Sequence, residues 1–184
     1  KIVQSLIDPN IADARSTPIN ERDLFISAFN SWCLSFDNLS GISGWLSDAW
    51  CRISTGGGFA TRELHSDRRE VVLNASRPII LNGIGGLDAR PDLSDRAFII
   101  TSPSIAPEAR QTEEEIWTAF HAERPFILGA LCDAVSCALR RKGEVKLSRK
   151  LRMADVALWI EEAEPGLGWE PGSFNRAYAE NQSA

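Results

Sequence analysis

The chain has 184 residues, 43% of them apolar and 24% charged, with a formal net charge of −5. This composition excludes a disordered segment, and the length supports one sizeable core, or one core with a small appendage. No apolar run approaches the ~18–20 residues of a membrane span. An isoelectric point near 5.1 argues against a general nucleic-acid coat while leaving room for a local basic loop.

Residues 1–7 (KIVQSLI) place Ile2, Val3, Leu6 and Ile7 on one helical face, which Asp8-Pro9-Asn10 ends. Lys1 stands where an initiator Met would, with no signal-peptide pattern behind it, so the chain reads as a fragment or processed product. Residues 20–30 read as a second helix, with Asn20 as N-cap, acids at 21 and 23, and Leu24, Phe25, Ala28 and Phe29 at helical spacing. The short apolar run WCLSFD (32–37) reads as a buried strand ending on a carboxylate. A helix over 43–55 turns Trp45, Leu46, Ala49, Trp50 and Ile53 inward and stops at Gly56-Gly57-Gly58. Residues 59–65 and 70–75 form a hairpin pattern around a polar SDRR turn. Two more strands are expected, PIILN (78–82) before a Gly-rich loop at 83–86, and RAFIIT (96–101).

Beyond Pro107 the pattern becomes helical. Thr112 and Glu115 have the spacing of a capping box, and the acids at 113–115 oppose Arg140-Arg141-Lys142 at the far end. Between them Leu128, Cys132, Val135 and Leu139 form an apolar stripe, and Pro125 predicts a kink or a split near residue 124. Residues 152–164 and 172–180 read as two further helices, separated by Pro165-Gly166. The expected division is an α/β part over 1–107 and a helical part over 108–184.

Cys33, Cys51, Cys132 and Cys137 show no CxxC spacing and no nearby His ligand, so they read as buried or half-buried free thiols in a reducing cytoplasm. The six tryptophans lie in helical or strand patterns and read as packing groups.

Chemistry points first to Asp37, a carboxylate at the end of an apolar strand, followed by Asn38. Open α/β sheets place ligands at such strand ends, where an aspartate can hold Mg²⁺ through water opposite nucleotide phosphates. Asn82 ends another apolar strand, where its amide could orient water or a γ-phosphate. The competing readings are a turn starter at Asp37 and a turn residue before Gly83.

The order WCLSFDN, then RISTGGGFATRELHSDRREVVLNASRPIILNGI, then DLSDRAFII resembles AAA+-type P-loop ATPases of the superfamily 3 helicase group, in particular phage- and plasmid-type primase–helicases. The resemblance covers residues 1–105, and the helical tail more loosely. It implies a partial parallel sheet with a hairpin insertion, followed by a helical lid. It further implies ATP and Mg²⁺ as ligands of the complete protein, a homo-oligomeric ring, and DNA as partner. WCLSFDN would be the Walker B strand, with Asp37 and Asn38 at the nucleotide and Asp37 the indirect Mg²⁺ contact. Asn82 would be the sensor, and Arg96 would reach a neighbouring subunit's nucleotide. The hairpin's Arg62, His65, Arg68 and Arg69 would meet the DNA backbone.

Bottom-up, that hairpin cluster could equally be a solvated turn neutralised by Glu63, Asp67 and Glu70. Arg96 could simply pair with Asp92 or Asp95. The chain contains no GxxxxGK[ST], and its glycine clusters lack a following Lys-Ser/Thr. The resemblance puts the phosphate-binding lysine upstream of Lys1. Asn38 cannot accept a proton from water as the acid found at that place in related ATPases does. The leading reading is therefore the C-terminal portion of an ATP-dependent DNA-acting motor, inactive alone. A non-catalytic DNA-binding or oligomerisation module from a phage or mobile element, and an unrelated α/β protein, are the alternatives.

Overall fold

A computed structural model describes residues 1–12, 14–62, 70–84, 90–147 and 152–182. Contacts divide the chain into two units, Lys1–Ser94 and Asp95–Ala184.

The first unit contains helices α1 (Ile2–Ile7), α2 (Glu21–Phe29), α3 (Gly44–Thr55) and the single turn α4 (Pro91–Ser94). Its strands are β1 (Leu34–Leu39), β2 (Gly58–Arg62), β3 (Glu70–Asn74) and β4 (Ile79–Gly83). The Asn20 side chain accepts the Asp23 N–H at 2.9 Å and so starts α2. Gly56 ends α3 at φ 85°, a left-handed conformation that suits a residue without a Cβ. Strands β1 and β4 pair in parallel, whereas β2 and β3 form a separate antiparallel pair running from Gly58↔Asn74 to Arg62↔Glu70. A parallel pair needs a long crossover, and here α3 and the hairpin supply it.

The core of this unit joins Leu24, Phe25 and Ala28 of α2 to Leu34 and Phe36 of β1 and to Leu46, Ala49, Trp50 and Ile53 of α3. Phe25 stacks on Phe59 at 5.2 Å, and Phe36 meets Trp50 at 5.5 Å. Each such large side chain contributes about 1.5–3 kcal/mol on burial, and together they hold β1 as the buried centre of the unit. The Asp8 carboxylate accepts the N–H groups of Trp32 at 2.7 Å and Cys33 at 2.9 Å, which fastens the end of α1 to the start of β1.

The second unit is built on helices α5 (Glu113–Arg141), α6 (Ala154–Ala163) and α7 (Ser173–Asn181), with short 3₁₀ turns at Pro107–Ala109 and Glu164–Leu167. The Thr112–Glu115 capping box forms in both directions. The turn at Glu164–Leu167 and α6 pack on the C-terminal half of α5 through Ala134, Ala138, Ala163 and Leu167. Small residues let the backbones approach. A Cβ on Gly166 would lie 2.8 Å from Cys137 Cβ and 2.9 Å from the Asp133 carbonyl oxygen.

Four expectations need correction. Arg96 lies in a turn, and residues 97–101 join no sheet. Instead, the Asn181 side-chain amide donates to Ile99 O at 2.6 Å and accepts Ile99 N–H at 3.0 Å, while Phe98 packs edge-on against Phe174 and Tyr178. A side chain on α7 thus satisfies the backbone groups that a neighbouring strand would have used. Secondly, α5 is not split at Pro125 but continues from Glu113 to Arg141; His121, whose carbonyl the proline cannot serve, is exposed and can turn that oxygen to water.

Thirdly, the buried face of α5 is Phe120, Ala134, Cys137 and Ala138, whereas Cys132, Val135 and Leu139 are exposed. The bulky stripe is excluded because the close approach around Gly166 admits only small groups. Finally, Trp50 is fully buried, but Trp32, Trp45, Trp159 and Trp169 are all exposed. Trp32, Trp45 and Trp169 lie near element ends and turns, and Trp159 lies in the middle of α6. Among the described residues no helix is long and apolar enough to cross a membrane.

Candidate functional site

The parallel register aligns Leu34 with Ile79, Ser35 with Ile80, Phe36 with Leu81, and then Leu39 with Gly83. From 36 to 39 β1 advances three residues while β4 advances two, so one extra residue bulges out at Asp37–Asn38. Asn38 takes the left-handed conformation at φ 57°, which asparagine tolerates better than other residues with a side chain. The bulge turns two consecutive polar residues to solvent between the buried Phe36 and Leu39.

At this bulge the two strand-end polar groups meet. Asn82 Nδ2 donates to Asp37 Oδ1 at 2.6 Å, and the Asn38 backbone N–H donates to the same oxygen at 2.9 Å. These donors hold the Asp37 carboxyl below the ordinary aspartate value of 3.8, the Asn82 amide contributing most, with the Lys1 charge adding a little. The result is an ionised, exposed carboxylate whose second oxygen makes no hydrogen bond among the described residues.

Arg15 fixes the opposite edge of β1. Its N–H donates to Ser35 O at 2.9 Å, and its carbonyl accepts Asp37 N–H at 3.1 Å. This isolated parallel bridge lies in a polar stretch with no strand periodicity, and nothing in the sequence pattern marks it. Asp37 is therefore held through its main chain on one side and its side chain on the other.

Such a carboxylate suits a hydrated Mg²⁺ reached through water, because magnesium keeps several of its waters and needs few protein oxygens. Among the described residues no group of three His, Cys, Asp or Glu could hold a metal directly.

Arg96 occupies the turn after α4, in the second unit, half-buried and engaged with neighbouring groups. Arg62 ends β2 opposite Glu70, whereas His65, Arg68 and Arg69 lie outside the described residues.

Fold and site together define a mixed α/β protein with a small parallel sheet, a polar bulge at one end of its strands, and a C-terminal helical region. The sequence pattern of the actinomycete integrative conjugative element replication proteins matches residues 1–176, and the chain belongs to that family. Membership fits a role in replication of a mobile element, as the resemblance implied, and leaves the ATPase and helicase expectations without support of its own. No curated protein and no solved structure matches the chain.

Proposed function

We propose that this chain belongs to an ATP-dependent, DNA-acting replication protein of a mobile element, with Asp37 and Asn82 at its nucleotide site. The observation that carries this reading is the hydrogen bond between a carboxylate and an amide on neighbouring parallel strand ends. It fits a division of labour: Asp37 stays ionised for a hydrated Mg²⁺, and Asn82 keeps a second amide hydrogen for a phosphate oxygen or water.

Arg96 supplies a permanent positive charge with a planar fork of donors, suited to the charge that develops on a transferred phosphoryl group of a neighbouring subunit. The hairpin residues Arg62, His65, Arg68 and Arg69 contact the DNA backbone, and the working assembly is a homo-oligomeric ring. The nucleotide's phosphate-cradling loop is not among these 184 residues, so the chain alone is inactive.

DNA-stimulated ATP hydrolysis by the intact replication protein is the test. Asp37→Ala and Asn82→Ala should each lower it at least about 100-fold, the scale of losing one transition-state contact. Arg96→Ala should keep ATP binding while losing about 10³–10⁵ in rate. Mixing Arg96→Ala with Asp37→Ala subunits should restore part of the activity. An intact protein without ATPase activity, or one indifferent to Asp37→Ala, overturns the reading.

A further inference from the structure

At the other end of β1 lies a second constellation that the nucleotide reading leaves unused. Trp32 precedes the strand and is 62% exposed, although its backbone N–H is pinned by Asp8. The Arg77 guanidinium lies over the indole, 4.8 Å from the ring centroid. A ring covered on both faces could not remain that open, so the face away from Arg77 is free. Phe29, at the end of α2, is exposed beside the same loop.

The loop is rigidly held. Arg77 Nε donates to the carbonyls of Ala28 and Ser31, both at 2.9 Å, and Nη1 donates to Ser76 O. Arg15 Nη2 donates to Ser31 Oγ at 2.9 Å, beside Asn10 Nδ2 at 3.2 Å. Two guanidinium groups therefore converge on Ser31, next to an open indole. The acid among these contacts, Asp8, has one oxygen already engaged by two backbone N–H groups. Arg77 Nη2 makes no hydrogen bond among the described residues.

We propose that Trp32 is a stacking platform for an unpaired base of single-stranded DNA, with Arg15 and Arg77 meeting the flanking phosphates. An open aromatic face with adjacent fixed cations is the chemistry that binds single strands without reading sequence, because every base has a π-face and every link a phosphate. A duplex cannot use the platform, since its bases are already stacked on one another. The two ends of β1 would then divide the work. Asp37 lies five residues beyond Trp32, roughly 16 Å along an extended chain, so a strand bound at Trp32 does not occupy the Asp37–Asn82 end. The proposal stands whether or not that end handles a nucleotide.

The test is binding of a short fluorescein-labelled oligothymidylate to this chain, followed by anisotropy. Trp32→Ala should weaken binding about 5–150-fold, while Trp32→Phe, which keeps a π-face, should lose much less. Arg15→Gln should flatten the slope of log K against log salt by about 0.7, the single-strand value for one phosphate. Because a variant can fold poorly, photocrosslinking of an iodouridine-containing oligonucleotide to the wild-type chain gives a readout free of substitution, and the adduct should map to Trp32. Equal binding by Trp32→Ala and wild type overturns the proposal, as does a set of adducts that leaves out Trp32. An oligomeric state that changes in Trp32→Ala while oligonucleotide binding persists also overturns it, and assigns the platform to a protein contact. A Trp32→Ala chain that only melts earlier, with unchanged affinity, reduces the Trp32–Arg77 pair to a staple of the fold.

Discussion

Asn82 Nδ2 lies 2.6 Å from Asp37 Oδ1, joining the polar ends of two parallel strands through residues 45 positions apart in sequence. The bond favours the charged form of Asp37, so its carboxyl titrates below 3.8. A group depressed in the folded state adds stability that is present above its unfolded value and is lost as the pH falls through the folded one. The acid limb of the stability profile should therefore carry an Asp37 contribution below pH 3.8. Carbon-detected NMR of the Asp37 carboxyl should show its midpoint rising toward 3.8 in Asn82→Ala; an unmoved midpoint would deny the coupling.

The isolated chain should bind Mg·ATP with a dissociation constant no better than about millimolar, equivalent to about −4 kcal/mol. On the proposed reading Asp37 would offer the metal one water-mediated contact, and no phosphate-cradling loop accompanies it in this chain. Titration calorimetry would settle this directly. Micromolar, Mg²⁺-dependent binding would contradict the account of the site.

Gly166 and Gly129 should respond in opposite directions to alanine. At Gly166 a Cβ meets Cys137, Asp133 and Ala134 at 2.8–3.0 Å, so the turn must lift off α5, at a cost of about 1–3 kcal/mol. At Gly129, within α5, nothing lies within 4 Å, and alanine should add about 0.5–1 kcal/mol through helix propensity. Denaturant unfolding of the two variants would separate them by sign.

Glu164 is wholly buried, and its two oxygens accept the N–H groups of Gly172 at 2.6 Å and Phe174 at 2.7 Å. Glu164→Gln keeps the size but presents an NH₂ group to one of those donors. The loss should be about 1.5–3 kcal/mol, the scale for one hydrogen bond to a charged group. Urea midpoints of Glu164→Gln and of the exposed Glu170→Gln make the comparison, and equal midpoints would remove Glu164 from its anchoring role.

Local signals were enough to find most elements. The Asn20 cap, the Thr112–Glu115 box, the Gly56 stop and the apolar runs at 32–37 and 78–82 each act within a few residues, and each element they mark is present. The 96–101 segment shows where such signals end. Its apolar pattern suits a strand, yet only the distant Asn181 determines that its Ile99 backbone groups bond to a side chain. Likewise the large apolar residues of α5 look like a core face until Gly166 and Ala163 bring another backbone too close for them.

By itself the sequence determined which residues could carry charge or hydrogen bonds at strand ends, because a polar residue closing an apolar run is visible locally. Tertiary structure alone decided which of them meet. Parallel pairing carries Asn82 to Asp37 across the intervening helix and hairpin, and the bulge at Asn38 turns both β1 residues outward. It also decided that Trp32 stays open while Trp50 is enclosed, a difference no pattern of tryptophans encodes, since burial depends on what the rest of the chain brings against each ring.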